Sequence, residues 1–135
     1  VTQQSIGIGS APNDGTGDPV RTAFDKCNKN FAELYQPQRR VTASPITVAA
    51  TDVIINCAIS SGSPTCTLPP SGSRGGVPLV FKDVGGHFAA NNLTITAAAS
   101  EFMDGLATIV LSTNYQRLKL LPVNDGVGVG WSIDQ

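Results

Sequence analysis

One histidine, ten carboxylates and three cysteines are the groups with which this chain could move protons, attack a bond or hold a metal. A single histidine, His87, excludes every site that needs several and leaves one candidate base. It sits in Gly85-Gly86-His87-Phe88-Ala89, which reads as a turn between strands. Asp83 with Asp52 or Asp104 could act on a glycosidic bond if a cleft brought two of them together. Other carboxylates have simpler uses, Asp18 as a helix N-cap and Asp104 and Asp125 as turn residues before glycine. Cys27, Cys57 and Cys66 are an odd number without metal spacing. Cys57 and Cys66 could face each other across a hairpin and form a disulfide. The plainer reading makes all three small buried hydrophobes, which a reducing cytoplasm tolerates. No nucleophile stands beside a base, so the chain is read as a non-enzyme with no catalytic residue, metal ligand or cofactor.

Three glycine-bearing stretches invite ligand readings, and each lacks a part. Asn13-Asp14-Gly15-Thr16-Gly17-Asp18 is acidic but has neither the alternating ligands nor the distant Glu of a calcium loop, so a turn with a cap is expected. Gly7-Ile8-Gly9 lacks the third glycine of a dinucleotide site. Gly72-Ser73-Arg74-Gly75-Gly76 has no P-loop lysine and reads as a flexible hairpin tip.

The elements that would carry these residues fall into two regions. Residues 1–18 look extended and irregular, suited to an arm laid on a neighbouring surface. Asp18-Pro19 opens a helix, because Pro is favoured at the first helical position. Val20, Phe24, Cys27, Phe31 and Leu34 then recur at spacings of four, three, four and three, and Ala23 widens the stripe. That is the pattern of a coiled-coil seam, but over two heptads only. Two readings stand: a helix packed on its own domain's core, or one that associates with sister helices or docks in a partner's groove. Pro37 stops the helix, and Gln36-Pro37-Gln38-Arg39-Arg40 reads as a polar connector with solvated arginines. Residues 1–40 thus form an arm and helix, and 41–135 a second domain.

From Ile46 onward the period changes to that of strands. Candidates are Ile46–Val48, Val53–Ile59, Thr65–Leu68, Leu79–Val84, Leu93–Thr96, Thr108–Leu111, Arg117–Leu121 and Val129–Ile133. Gly, Asn and Asp turns separate them, which predicts a small antiparallel β-sandwich or barrel-like domain. Ile46-Thr47-Val48-Ala49-Ala50 is echoed by Ile95-Thr96-Ala97-Ala98-Ala99, one weak repeat. Trp131 is expected over the core or at its edge.

Composition bounds partners. The 135 residues suffice for one domain with a core plus an appendage. Charged residues make up only 14%, against roughly 25% in typical soluble domains, which suits a surface partly buried against copies of itself. A net charge of -1 offers no attraction for nucleic acid. No apolar run approaches the ~18 residues of a membrane span, and the polar N-terminus carries no charged-then-apolar leader.

The N-terminal segment resembles one found in tailed-bacteriophage virion proteins. The matching residues are Asn13-Asp14-Gly15-Thr16-Gly17-Asp18, Arg21-Thr22-Ala23-Phe24, Asn28, Asn30-Phe31 and Glu33-Leu34-Tyr35. Small phage β domains are similar, more loosely, to the remainder through Asp52-Val53-Ile54-Ile55, Thr65 to Pro69, Phe81 to Gly86, Asn92 to Ile95, Asp104-Gly105, Asn114-Tyr115 and Trp131. The resemblance implies a homotrimeric virion component made in the cytoplasm of a bacterial host: a short tail or head fibre, spike or capsid decoration. Its partners would be sister chains and capsid, portal, neck or tail proteins. Asn13, Asp18, Val20, Arg21, Phe24, Cys27, Phe31 and Leu34 would form the attachment or oligomer interface. The alternative is a receptor- or glycan-binding fibre module, using Tyr115, Trp131 and the Gly72–Gly76 tip on a host surface glycan.

Overall fold

The computed structural model describes residues 4–12, 14–34, 38–124 and 129–134. Two compact units divide the chain, Val1–Gln36 and Pro37–Gln135. The first holds an extended arm and one helix, α1 (Val20–Leu34). Its first internal bond runs from the Ala23 amide to the Pro19 carbonyl at 2.9 Å, so the ring that fixes φ stands where the helix begins. Asp18 does not cap the first-turn amides as expected. Its carboxylate accepts instead from the Gly7 amide at 2.8 Å and from Lys26 Nζ at 2.6 Å.

The second unit is mainly β, as its period-two patterning predicts. Six strands alternate between two sheets: β1 (Gln38–Val41), β2 (Ile46–Thr47), β3 (Ile54–Cys57), β4 (Thr65–Thr67), β5 (Leu79–Asp83) and β6 (Leu93–Thr96). Odd-numbered strands pair side by side in one sheet and even-numbered strands in the other, all in parallel. Three strand–turn–strand coils are thereby stacked. Then follow β7 (Phe102–Met103), β8 (Thr108–Leu111), β9 (Arg117–Asn124) and β10 (Val129–Asp134). They close the sheets as β1-β3-β5-β9-β10-β7 and β2-β4-β6-β8.

The expected antiparallel arrangement is therefore corrected. Among the described residues, the only antiparallel strand pairs are β5–β9, β9–β10 and β6–β8. Each turn between the first six strands carries the chain across to the facing sheet instead of back beside the strand it left. One buried side per strand gives the same alternation in either case. Gln38–Val41, expected mostly as connector, is also a strand.

Register lines up the core. Ile46, Cys66, Ile95 and Ile109 form one row across the smaller sheet. Ile55, Phe81 and Leu118 form another across the larger. Both rows join one cluster with Leu79, Phe88, Leu93, Met103, Leu120 and Trp131. Cys57 and Cys66 are free and fully buried, on strands of different sheets, so no hairpin brings them together. Burial pushes both thiols up to about 12.

Candidate functional site

In the first unit, the arm runs back along one flank of α1 and is held there by polar bonds. Gln4 and Asn30 exchange two hydrogen bonds, the Gln4 amide to Asn30 Oδ1 and Asn30 Nδ2 to the Gln4 carbonyl, both 2.9 Å. Lys26 Nζ donates to the Ser5 carbonyl at 3.0 Å and to Asp18 at 2.6 Å. Gly7 and Asp18 make a second reciprocal pair, the Asp18 amide reaching the Gly7 carbonyl at 2.8 Å. Lys26 and the Gly7 amide hold the Asp18 carboxyl below its ordinary range.

The acidic loop is organised from within. Asp14 accepts from the amides of Ser10 (2.6 Å), Ala11 (2.7 Å) and Thr16 (2.9 Å). Thr16, through amide and hydroxyl, and then the Ala11 and Ser10 amides hold the Asp14 carboxyl far below its usual value. Those oxygens face N–H donors, so the loop is a turn, not a cation cage. Two glycines are required here. Gly9 has φ +78°, and a Cβ on it would lie 2.6 Å from Asp14 Oδ1. A Cβ on Gly17 would stand 3.0 Å from the Gly7 carbonyl oxygen.

This clamp uses Lys26 and Asn30, one helical turn apart, beside the half-buried Ala23. At about 100° per residue, that flank lies roughly a quarter turn from the Val20–Phe24–Phe31 stripe. The stripe is left open: Val20 is 72% exposed, Phe24 65% and Phe31 58%. Cys27 lies half-buried between stripe and arm. Arg21 is exposed on the first turn. Of the other expected interface residues, Asn13 lies outside the described residues, as does the Leu34 side chain. An aromatic stripe thus faces solvent on a fifteen-residue helix.

Groups in the second unit that could do chemistry have structural partners instead. Asp83 is fully buried and accepts from five amides: Gly85, Gly86, His87, Phe88 and Tyr115, at 2.8–3.1 Å. Burial alone would raise its pKa, but the amides of Tyr115, Phe88, His87 and Gly86 outweigh it and hold the carboxyl low. Asp52 works against burial in the same way, through a two-pronged bond from Arg39 at 2.9 and 2.6 Å and the Ala49 amide at 2.8 Å. Asp104 accepts from the Ile133 amide at 2.9 Å. Neither Asp52 nor Asp104 is thus brought to Asp83 as an acid–base pair. His87 is a half-buried turn residue whose carbonyl accepts the Ala90 and Asn91 amides.

The expected flexible tip at Gly72–Gly76 is a short 3₁₀ helix, Ser71–Arg74, anchored at both ends. The Ser71 amide donates to Glu101. Arg74 is 2% exposed, its guanidinium donating to the carbonyls of Ala49, Ala50, Asp52 and Pro78. Trp131 is likewise buried, 2% exposed. Of the two aromatic residues offered as glycan contacts, Tyr115 alone remains on the surface.

Sequence reasoning named the stripe but missed Lys26 as the arm's anchor. Its signal was the Ala23–Lys26–Asn30 spacing of three and four, the same period as the stripe on a different flank. Among the described residues no group of three or more His, Cys, Asp or Glu could hold a metal, and no helix is long and apolar enough to cross a membrane. Neither a protein-family model nor a curated protein matches the chain.

Proposed function

We propose that the chain is a non-catalytic structural part of a tailed-bacteriophage particle, a short fibre, spike or decoration. Its arm-and-helix unit fixes it to two sister chains, as a homotrimer, or to a capsid, portal, neck or tail protein, and the β unit projects. The observation that carries this reading is the open Val20–Phe24–Phe31 stripe beside a clamped arm. The arm spends its hydrogen bonds on the polar flank and leaves the greasy one for another chain. Covering those three side chains would contribute roughly 1.5–3 kcal/mol each, enough to hold a helix of this length only when a partner is present.

Phe24→Ser and Phe31→Ser test it. Each should lower the native mass in light scattering while leaving the strand signal of the β unit unchanged. An unchanged native mass in both variants defeats the assembly reading. Electron microscopy of particles with and without the chain then tests its place on a virion.

A further inference from the structure

Four strands form the outer edges of the two sheets, and their sequences differ in one respect that matters for self-pairing. β1 carries Arg39 and Arg40, while β2 and β7 are two residues long. Charge and shortness are the usual ways in which an edge is kept from recruiting another strand. β8, Thr108-Ile109-Val110-Leu111, has neither: it is four residues long, and no Asp, Glu, Lys or Arg occurs from Gly105 to Gln116.

The main chain of β8 narrows the free edge to two residues. The Ala97 amide donates to the Ala107 carbonyl, and Leu111 and Ile109 lie opposite Leu93 and Ile95. By the antiparallel alternation, Ala107, Ile109 and Leu111 turn their peptide groups toward β6. Leu106, Thr108, Val110 and Ser112 turn theirs outward. Leu106 exchanges both of its bonds with Met103, and the Ser112 amide donates to Gln116 Oε1 at 3.0 Å. Between these stops, Thr108 and Val110 have no bonded main-chain partner among the described residues. Val110 is 51% exposed, and Ile109 packs only partly buried against the core cluster.

We infer that β8 pairs antiparallel with β8 of a second copy about a two-fold axis through Ile109. Thr108 of each copy then exchanges two hydrogen bonds with Val110 of the other. Ile109 meets Ile109 in the closely spaced, non-hydrogen-bonded position, which extends the core row from one sheet into the next. A second copy is the favoured occupant because the edge is uncharged and β-branched, so it complements itself. The same operation on β1 would set arginine against arginine. This contact is isologous and separate from the helix stripe.

Three variants of the full chain test it. Val110→Lys places a charge on an exposed edge position and should halve the native mass in sedimentation velocity with the strand signal intact. Thr108→Pro removes an outward N–H that the protomer does not use, and should do the same. Ile109→Cys should form a covalent pair on a non-reducing gel, linked 109 to 109 by mass spectrometry, since Cα atoms ~4.5 Å apart in such a position suit a disulfide. In a Phe24→Ser background the two-copy species should persist, and Val110→Lys should reduce it to one. A folded Val110→Lys chain of wild-type native mass, or an Ile109→Cys chain with no 109–109 link, overturns the inference.

Discussion

Asp83 ties together two loops that are distant in sequence, the Gly85–Phe88 turn and the segment at Tyr115, through main-chain amides alone. Hydrogen bonds to a charged acceptor are worth about 1.5–3 kcal/mol each, and five donors lose it together. Asp83→Asn, which halves the acceptor set and turns one donor toward others, should cost about 3 kcal/mol or more. Urea unfolding of the β unit measures this, and a loss within 0.5 kcal/mol of wild type, roughly that of a surface substitution, contradicts it. In the sequence Asp83 is visible only as a carboxylate before Val84-Gly85-Gly86. The turn itself was legible from Gly85-Gly86; the tie from Asp83 to Tyr115 was not, because nothing local points across 32 residues. Arg74 is the same kind of miss. Amid glycines and serines it reads as part of a flexible hairpin tip, whereas four carbonyls converge on it.

At the scale of elements, α1 was legible because a capping-type dipeptide, a heptad stripe and a stopping proline agree. Most strands were legible from alternation. β1 was not: Gln-Arg-Arg-Val has the look of a linker, and only its parallel pairing with β3, with Arg39 held by Asp52, makes it a strand. β7 is too short to carry a period. The arm's path was also illegible, since polar bonds from Lys26 and Asn30 fix it without any apolar pattern. Asn30→Ala removes both bonds to Gln4, worth about 1 kcal/mol together at a half-buried site. Amide exchange in residues 4–9 should then quicken roughly fivefold. Unchanged exchange by mass spectrometry would mean that the arm is held elsewhere.

For the whole molecule, the weak echo in the sequence turns out to be a piece of architecture. Ile46 and Ile95 flank Cys66 in one row, and both segments continue into the same turn. The Asp52 amide reaches the Ala49 carbonyl at 3.1 Å, and the Glu101 amide reaches the Ala98 carbonyl at 3.0 Å. Each turn ends on a buried carboxylate. Depressed carboxyl groups occur in both units, Asp14 and Asp18 in one and Asp52 and Asp83 in the other. The unfolded chain takes up protons at about pH 4, before the folded one does, so stability is present above that value and lost as pH falls through the folded pKa values. Thermal melts should be level from about pH 7 to 5 and fall below about 4. A melting temperature that holds constant down to about pH 2.5 is incompatible with these carboxylates being ionised in the fold.

The reciprocal bonds between Gln4 and Asn30 have a mechanical consequence. They bring the start of the arm beside the last turn of α1, which leads on to the second unit, while the acidic loop lies at the opposite end. Tension applied between the start of the chain and the end of α1 therefore loads that pair first, then Lys26, then Asp18, one after another. Bonds loaded in series peel like a zipper, at a far smaller force than the same bonds sheared together.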